Sequence, residues 1–148
     1  MQKITQHLWF DKEAKEAAEF YTSIFSSASI QNTTRLHDTP SGDVDVVTIE
    51  LLGQGSTLIS AGPLFKFNPS VSFLVAMRTK GDVDALWEDL SKGGSVLMEL
   101  GEYPFSARYG WVADRYGLSW QVMLAGEDRV KQGITPDAQT RQSPIVNL

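Results

Sequence analysis

The sequence predicts an α+β fold in which one strand–helix–strand–strand–strand order runs twice. Two observations carry that reading. Each half of the chain holds a single amphipathic helical stretch, preceded by one segment of period-two alternation and followed by three. Between the halves, Gly62-Pro63 and Pro69 interrupt any regular element, so the chain changes course there without a long flexible linker.

The first strand is expected over Thr5 to Phe10, where Ile4, Leu8 and Phe10 share one face and Thr5, His7 and Trp9 the other. Asp11 is then a candidate N-cap for a helix whose stripe is Ala14, Ala17, Ala18, Tyr21, Ile24 and Phe25. A second strand is expected from Ser29 to Leu36, with residues 37–43 as its connecting loop. Val47, Ile49 and Leu51 mark a third strand, and Gly53-Gln54-Gly55 turns it into a fourth over Thr57 to Ala61. The second half repeats the order. Ser70 to Met77 is a strand, and Asp82 is a candidate N-cap for a helix built on Val83, Leu86, Trp87 and Leu90. Gly93-Gly94 closes that helix. Three strands follow over Ser95 to Leu100, Arg108 to Ala113 and Ser119 to Leu124, the last two joined by Asp114-Arg115-Tyr116-Gly117. One helix per half suits helices on the outer face of a curved mixed sheet, leaving the other face concave around a ligand-sized cleft.

Composition limits the chemistry. The chain has 148 residues, enough for one domain that buries about two-thirds of its unfolded surface. The expected layout is one domain over 1–125, with modules over about 3–62 and 69–124, and a loosely ordered polar tail over 126–148. With no cysteine there is no thiolate nucleophile, disulfide or cysteine-bound zinc. A net charge of −5 without a Lys/Arg cluster argues against nucleic acid as a partner. No apolar run approaches the roughly 20 residues of a spanning helix, and no signal-peptide core follows Met1, so no membrane partner and a cytoplasmic location are expected.

Several blocks resemble the PhnB-like proteins of the vicinal oxygen chelate (glyoxalase/bleomycin resistance/dioxygenase) superfamily, a group often labelled 3-demethylubiquinone-9 3-methyltransferase. They are Leu8-Trp9-Phe10-Asp11, Glu19-Phe20-Tyr21-Thr22-Ser23-Ile24-Phe25, Phe67-Asn68-Pro69-Ser70-Val71-Ser72-Phe73, Val83-Asp84-Ala85-Leu86-Trp87 and the long stretch Tyr109 to Gln121. The resemblance implies paired βαβββ modules, an eight-stranded sheet curled around a cavity, and commonly a homodimer. It also implies ligand positions on the first, fourth, fifth and eighth strands, which fall near Thr5 or His7, Ser60, Ser72 and Gln121. Neutral hydroxyls and one amide offset little of the cost of dehydrating a divalent ion, so no metal and no cofactor is expected. His7 reads as a pocket-lining donor, a metal ligand or a structural residue, and Glu50 could join a metal only if its strand faced inward.

Trp9 and Trp111 are either aromatic walls for a ligand or core filling. Trp87 is core, and Trp120 and Gln121 must point to opposite faces of their strand. Arg108 and Arg115 read either as contacts to an anionic ligand or, more ordinarily, as solvated charges, and His37 as a solvated side chain in its turn. Gly53-Gln54-Gly55 precedes a strand, so no glycine-rich strand-to-helix turn for a nucleotide-like methyl donor is present. The expected function is small-molecule binding by Thr5, His7, Trp9, Ser60, Ser72, Trp111 and Gln121, with no catalytic residue assigned. A metal-dependent isomerase, lyase or dioxygenase and a ligand-sequestering resistance protein stand as alternatives.

Overall fold

The computed structural model describes residues 2–126, so beyond Gly126 the expected tail lies outside the described residues. The elements are β1 (Gln6–Phe10), α1 (Ala14–Ile24), β2 (Ala28–Thr39), β3 (Gly42–Leu51), β4 (Gln54–Ser60), β5 (Ser72–Met77), α2 (Lys80–Ser91), β6 (Ser95–Tyr103), β7 (Ser106–Ala113) and β8 (Ser119–Leu124). This is the α+β class read from the sequence, with two βαβββ modules. The chain forms two compact units that divide between Phe67 and Asn68. The eight strands form two mixed four-stranded sheets, ordered β1-β4-β3-β2 and β5-β8-β7-β6. In each sheet the strand before the helix pairs parallel with the last strand of its module, and the remaining pairs are antiparallel.

In the first unit, α1 lays Ala14, Ala17, Ala18 and Tyr21 against the sheet face that carries Leu8, Phe10, Leu58, Val47 and Ile49. Each large apolar side chain buried there contributes about 1.5–3 kcal/mol. The N-cap differs from expectation. Glu13 takes that position without a side-chain cap, and the Ala14 amide instead donates to Ser60 Oγ at 2.9 Å. Asp11 is held short of the helix because its carbonyl accepts from Gly62 N at 2.9 Å, extending the β1–β4 pairing.

The expected loop over 37–43 is mostly strand, because cross-strand polar contacts carry the β2–β3 hairpin outward. Arg35 donates to Asp45 at 3.0 Å, His37 Nδ1 lies 3.1 Å from Asp43, and Thr39 Oγ1 donates to Gly42 O at 2.6 Å. The β3–β4 turn is the two-residue pair Leu52-Gly53, with φ of 51° and 84°, rather than Gly53-Gln54-Gly55. Positive φ at both positions matches the right-handed twist of the flanking strands.

In the second unit, α2 buries Val83, Leu86 and Leu90. Thr79 rather than Asp82 is its N-cap, and the Thr79 side chain accepts from Asp82 N at 3.1 Å, which leaves Asp82 inside the first turn. Gly93 follows the helix with φ of 74°, the left-handed end a glycine favours. The Trp87 ring packs over Gly110 of β7, where an added Cβ would meet Trp87 Cζ3 at 2.5 Å, so only glycine lets the helix approach this closely.

The turn from β7 to β8 is organised by Asp114, a carboxylate only 3% exposed. Its Oδ1 accepts from Tyr116 N at 2.8 Å and Leu118 N at 3.1 Å, and its Oδ2 from Trp120 Nε1 at 2.9 Å. Trp120 is thereby fixed on the helix side of β8, edge-on to Phe73, and its neighbour Gln121 must take the other face.

Candidate functional site

Strand parity divides the expected site residues between faces. In the first unit, His7 is in register with Thr57 and Trp9 with Ile59, whereas Ser60 is in register with Phe10. His7 and Trp9 therefore lie on the open face, away from α1. Ser60 lies under the helix and is tied to the Ala14 amide, so it does not join His7. Thr5 lies exposed just before β1. A row of polar side chains, His7, Thr57, Thr48 and Asn32, crosses all four strands of this face. Glu50 shares the face one row nearer the β3–β4 turn and is exposed. Trp9 is held at its indole, which donates to Gly62 O at 2.9 Å, and its ring meets Phe65 edge-on. Thr57 went unrecognised because pairing register, not local pattern, sets it opposite His7.

The second unit brings its three expected residues together. Ser72, Trp111 and Gln121 all lie on the open face of the β5-β8-β7 part of the sheet, and Gln121 is in register with both Leu74 and Trp111. Ser119 joins them: Trp111 Nε1 donates to its Oγ at 2.6 Å, and Ser72 Oγ lies 2.9 Å from the same atom. Tyr109 donates to Gln121 Oε1 at 2.5 Å and packs edge-on against Tyr103 and Phe105. Tyr109 and Ser119 stand two residues from Trp111 and Gln121 respectively, so parity alone could have found them.

The electrostatics of this face follow from the same parity. None of the residues that β5, β7 and β8 place on it is charged. Arg108 falls on the opposite face and forms an ion pair with Asp84 of α2. Burial pushes the Tyr109 hydroxyl up to about 12, with Tyr103 adding to the shift, so it is a hydrogen donor at any physiological pH. Tyr103 is also raised, by burial first and by the charge of Glu99 second. Among the described residues, no three His, Cys, Asp or Glu side chains come together as a group able to hold a metal ion.

A family model described as 3-demethylubiquinone-9 3-methyltransferase matches residues 2–123. The chain belongs to that family. A PhnB protein from Bacillus cereus that carries the same methyltransferase label is 37% identical, with a TM-score of 0.76 over 84% of this chain and 100% of its own. Two more distant structures share the fold alone. A Pseudomonas aeruginosa protein is 20% identical, with a TM-score of 0.73 over 84% of this chain and 98% of its own. A glyoxylase/bleomycin resistance protein/dioxygenase domain from Frankia is 18% identical, with a TM-score of 0.63 over 86% and 94%. The fold is thus that of the vicinal oxygen chelate superfamily, as the sequence blocks implied. A comparison with curated proteins finds no match.

The family label implies a methyl donor, and the residues present do not fit a nucleotide-like one. The two strand-to-helix connections lack a glycine-rich loop, and each helix start has an amide already bonded to a protein hydroxyl, that of Ser60 or Thr79. Each sheet has a single parallel pair, so neither offers the crevice between divergent parallel strands where such cofactors sit.

Proposed function

We propose that this PhnB-like protein binds an uncharged small molecule on the open face of its second sheet, without a strongly held metal ion. What supports the reading is one arrangement: a carboxamide, two hydroxyls, an indole and a phenol gathered on a face to which β5, β7 and β8 bring no charge. Apolar and aromatic walls with a few placed polar groups are what small-molecule sites are made of. A divalent cation needs charged oxygens or several imidazoles to offset its dehydration, and this face has neither.

We further propose that the two units act as one domain over residues 1–125 and that the protein is a cytoplasmic homodimer. Exposed apolar side chains such as Ile4, Leu64 and Val71, at 90%, 74% and 69% exposure, support contact with a second copy. Among the described residues, no helix is long and apolar enough to cross a membrane.

Elemental analysis of the purified protein tests the metal-free reading, which expects less than stoichiometric divalent metal. One ion per chain that is lost in His7→Ala would overturn it and favour the metal-dependent isomerase, lyase or dioxygenase. A thermal-shift ligand recovered chemically unchanged separates binding or sequestration from catalysis.

A further inference from the structure

Tyr109 fixes which end of the Gln121 amide faces a ligand. A carboxamide can turn either way, and the two orientations offer a ligand opposite chemistry. Here the choice is forced from behind. Tyr109 is 5% exposed, and its hydroxyl proton has one acceptor among the described residues, Gln121 Oε1 at 2.5 Å. Turning the amide over would set its N–H₂ group against that hydroxyl and take away the acceptor of its proton. Oε1 is therefore occupied and Nε2 points outward. Among the described residues, Nε2 donates to no protein acceptor.

The surroundings define what Nε2 can meet. Gln121 sits between Leu74, which is 60% exposed, and Trp111, so a flat apolar body lying along this row puts its polar edge over the amide. On a face to which β5, β7 and β8 bring no cation, an anion would lose hydration without a counter-charge, so the two N–H donors suit a neutral acceptor such as a carbonyl oxygen. We infer that the ligand of this face is an aromatic or planar apolar compound bearing a neutral carbonyl acceptor, which Gln121 Nε2 binds and Tyr109 orients. Tyr109 is a positioning residue in this scheme. The inference rests on the proposed ligand face and goes further by naming the chemistry it selects.

The test uses ¹⁵N-labelled full-length protein and two probes of similar shape, acetophenone, which has the carbonyl, and ethylbenzene, which lacks it. Acetophenone is expected to bind about fivefold more tightly, the ratio that one net hydrogen bond gives, and to shift the Gln121 side-chain amide signals. Tyr109→Phe should lower the ratio by about twofold, because the released amide then samples both orientations and still donates from one of them. Gln121→Leu, which removes the amide at similar volume, has to abolish the preference whether or not Tyr109→Phe folds. Equal affinities in the native protein, or a preference that survives Gln121→Leu, would overturn the inference while leaving the ligand face in place. Failure of both probes to perturb Trp111 or Gln121 would overturn both readings together.

Discussion

Replacing Asp114 tests whether one buried carboxylate sets the geometry of the candidate site. In Asp114→Ala the Leu118 amide and the Trp120 indole lose their acceptors in buried surroundings, while the Tyr116 amide lies near the surface. A buried donor left unpaired costs about 1–3 kcal/mol, so the two together come to about 4 kcal/mol, with the third adding little. For a chain of this size that lowers Tm by about 12 °C. Asp114→Asn should cost about 2 kcal/mol, since one oxygen remains for the amides but an N–H₂ group now faces the indole N–H. Urea denaturation of both variants, alone and with Trp120→Phe, gives the coupling directly. In the Trp120→Phe background the asparagine penalty should shrink by about 1–2 kcal/mol. A loss under about 1 kcal/mol for Asp114→Ala, or an asparagine penalty indifferent to Trp120, would refute the assignment of this turn to the carboxylate.

Two further outcomes follow from the same geometry. Ser60→Ala removes the acceptor of the first α1 amide and should cost about 1 kcal/mol in denaturant unfolding, yet leave acetophenone binding unchanged, because Ser60 lies on the helix face. The raised Tyr109 hydroxyl contributes stability that is fully present below the unfolded value near pH 10 and lost as pH climbs through about 12. Stability measured from pH 8 to 12 should therefore fall over that upper window, and Tyr109→Phe should flatten the fall.

Which parts of this structure were legible in the sequence depends on how unequal the two faces of each element are. On β8, Trp120 and Val122 alternate with Ser119 and Gln121, and on β5, Phe73 and Val75 alternate with Ser72. The buried face is plain on β8, whereas on β5 Leu74 shares the face of Ser72, and it was the family resemblance that set Ser72 and Gln121 together. On β4, Leu58 and Ser60 alternate with Thr57 and Ile59, one apolar and one polar residue per face. Nothing local decides between them. Burial of Leu58 under α1 does, and it takes Ser60 with it. Helix starts failed for a related reason. The Asp11 and Asp82 candidates obeyed the local rule for caps, but the amide of Ala14 is satisfied by a serine from a distant strand, and α2 begins earlier at Thr79.

The two modules have one topology and different chemistry, and the difference lies on one side of each sheet. Toward the helices both supply the same kind of residue, Leu8, Phe10 and Leu58 in one, Val75 and Val122 in the other, because a helix must be packed in either case. On the open faces each sheet has a polar row and a more apolar one: His7, Thr57, Thr48 and Asn32 beside Trp9, Ile59, Val46 and Thr34 in one, Ser72, Ser119, Ala113 and Ser95 beside Leu74, Gln121, Trp111 and Met98 in the other, and only the second sets an amide within its apolar row. A bare polar row is well solvated and binds nothing strongly by itself, since water competes for every hydroxyl. An amide set between an exposed leucine and an indole, with its oxygen already engaged, has a donor whose best remaining partner is a ligand that also covers the apolar flanks. On the proposed ligand face, Gln121 is therefore the residue whose replacement separates recognition from fold.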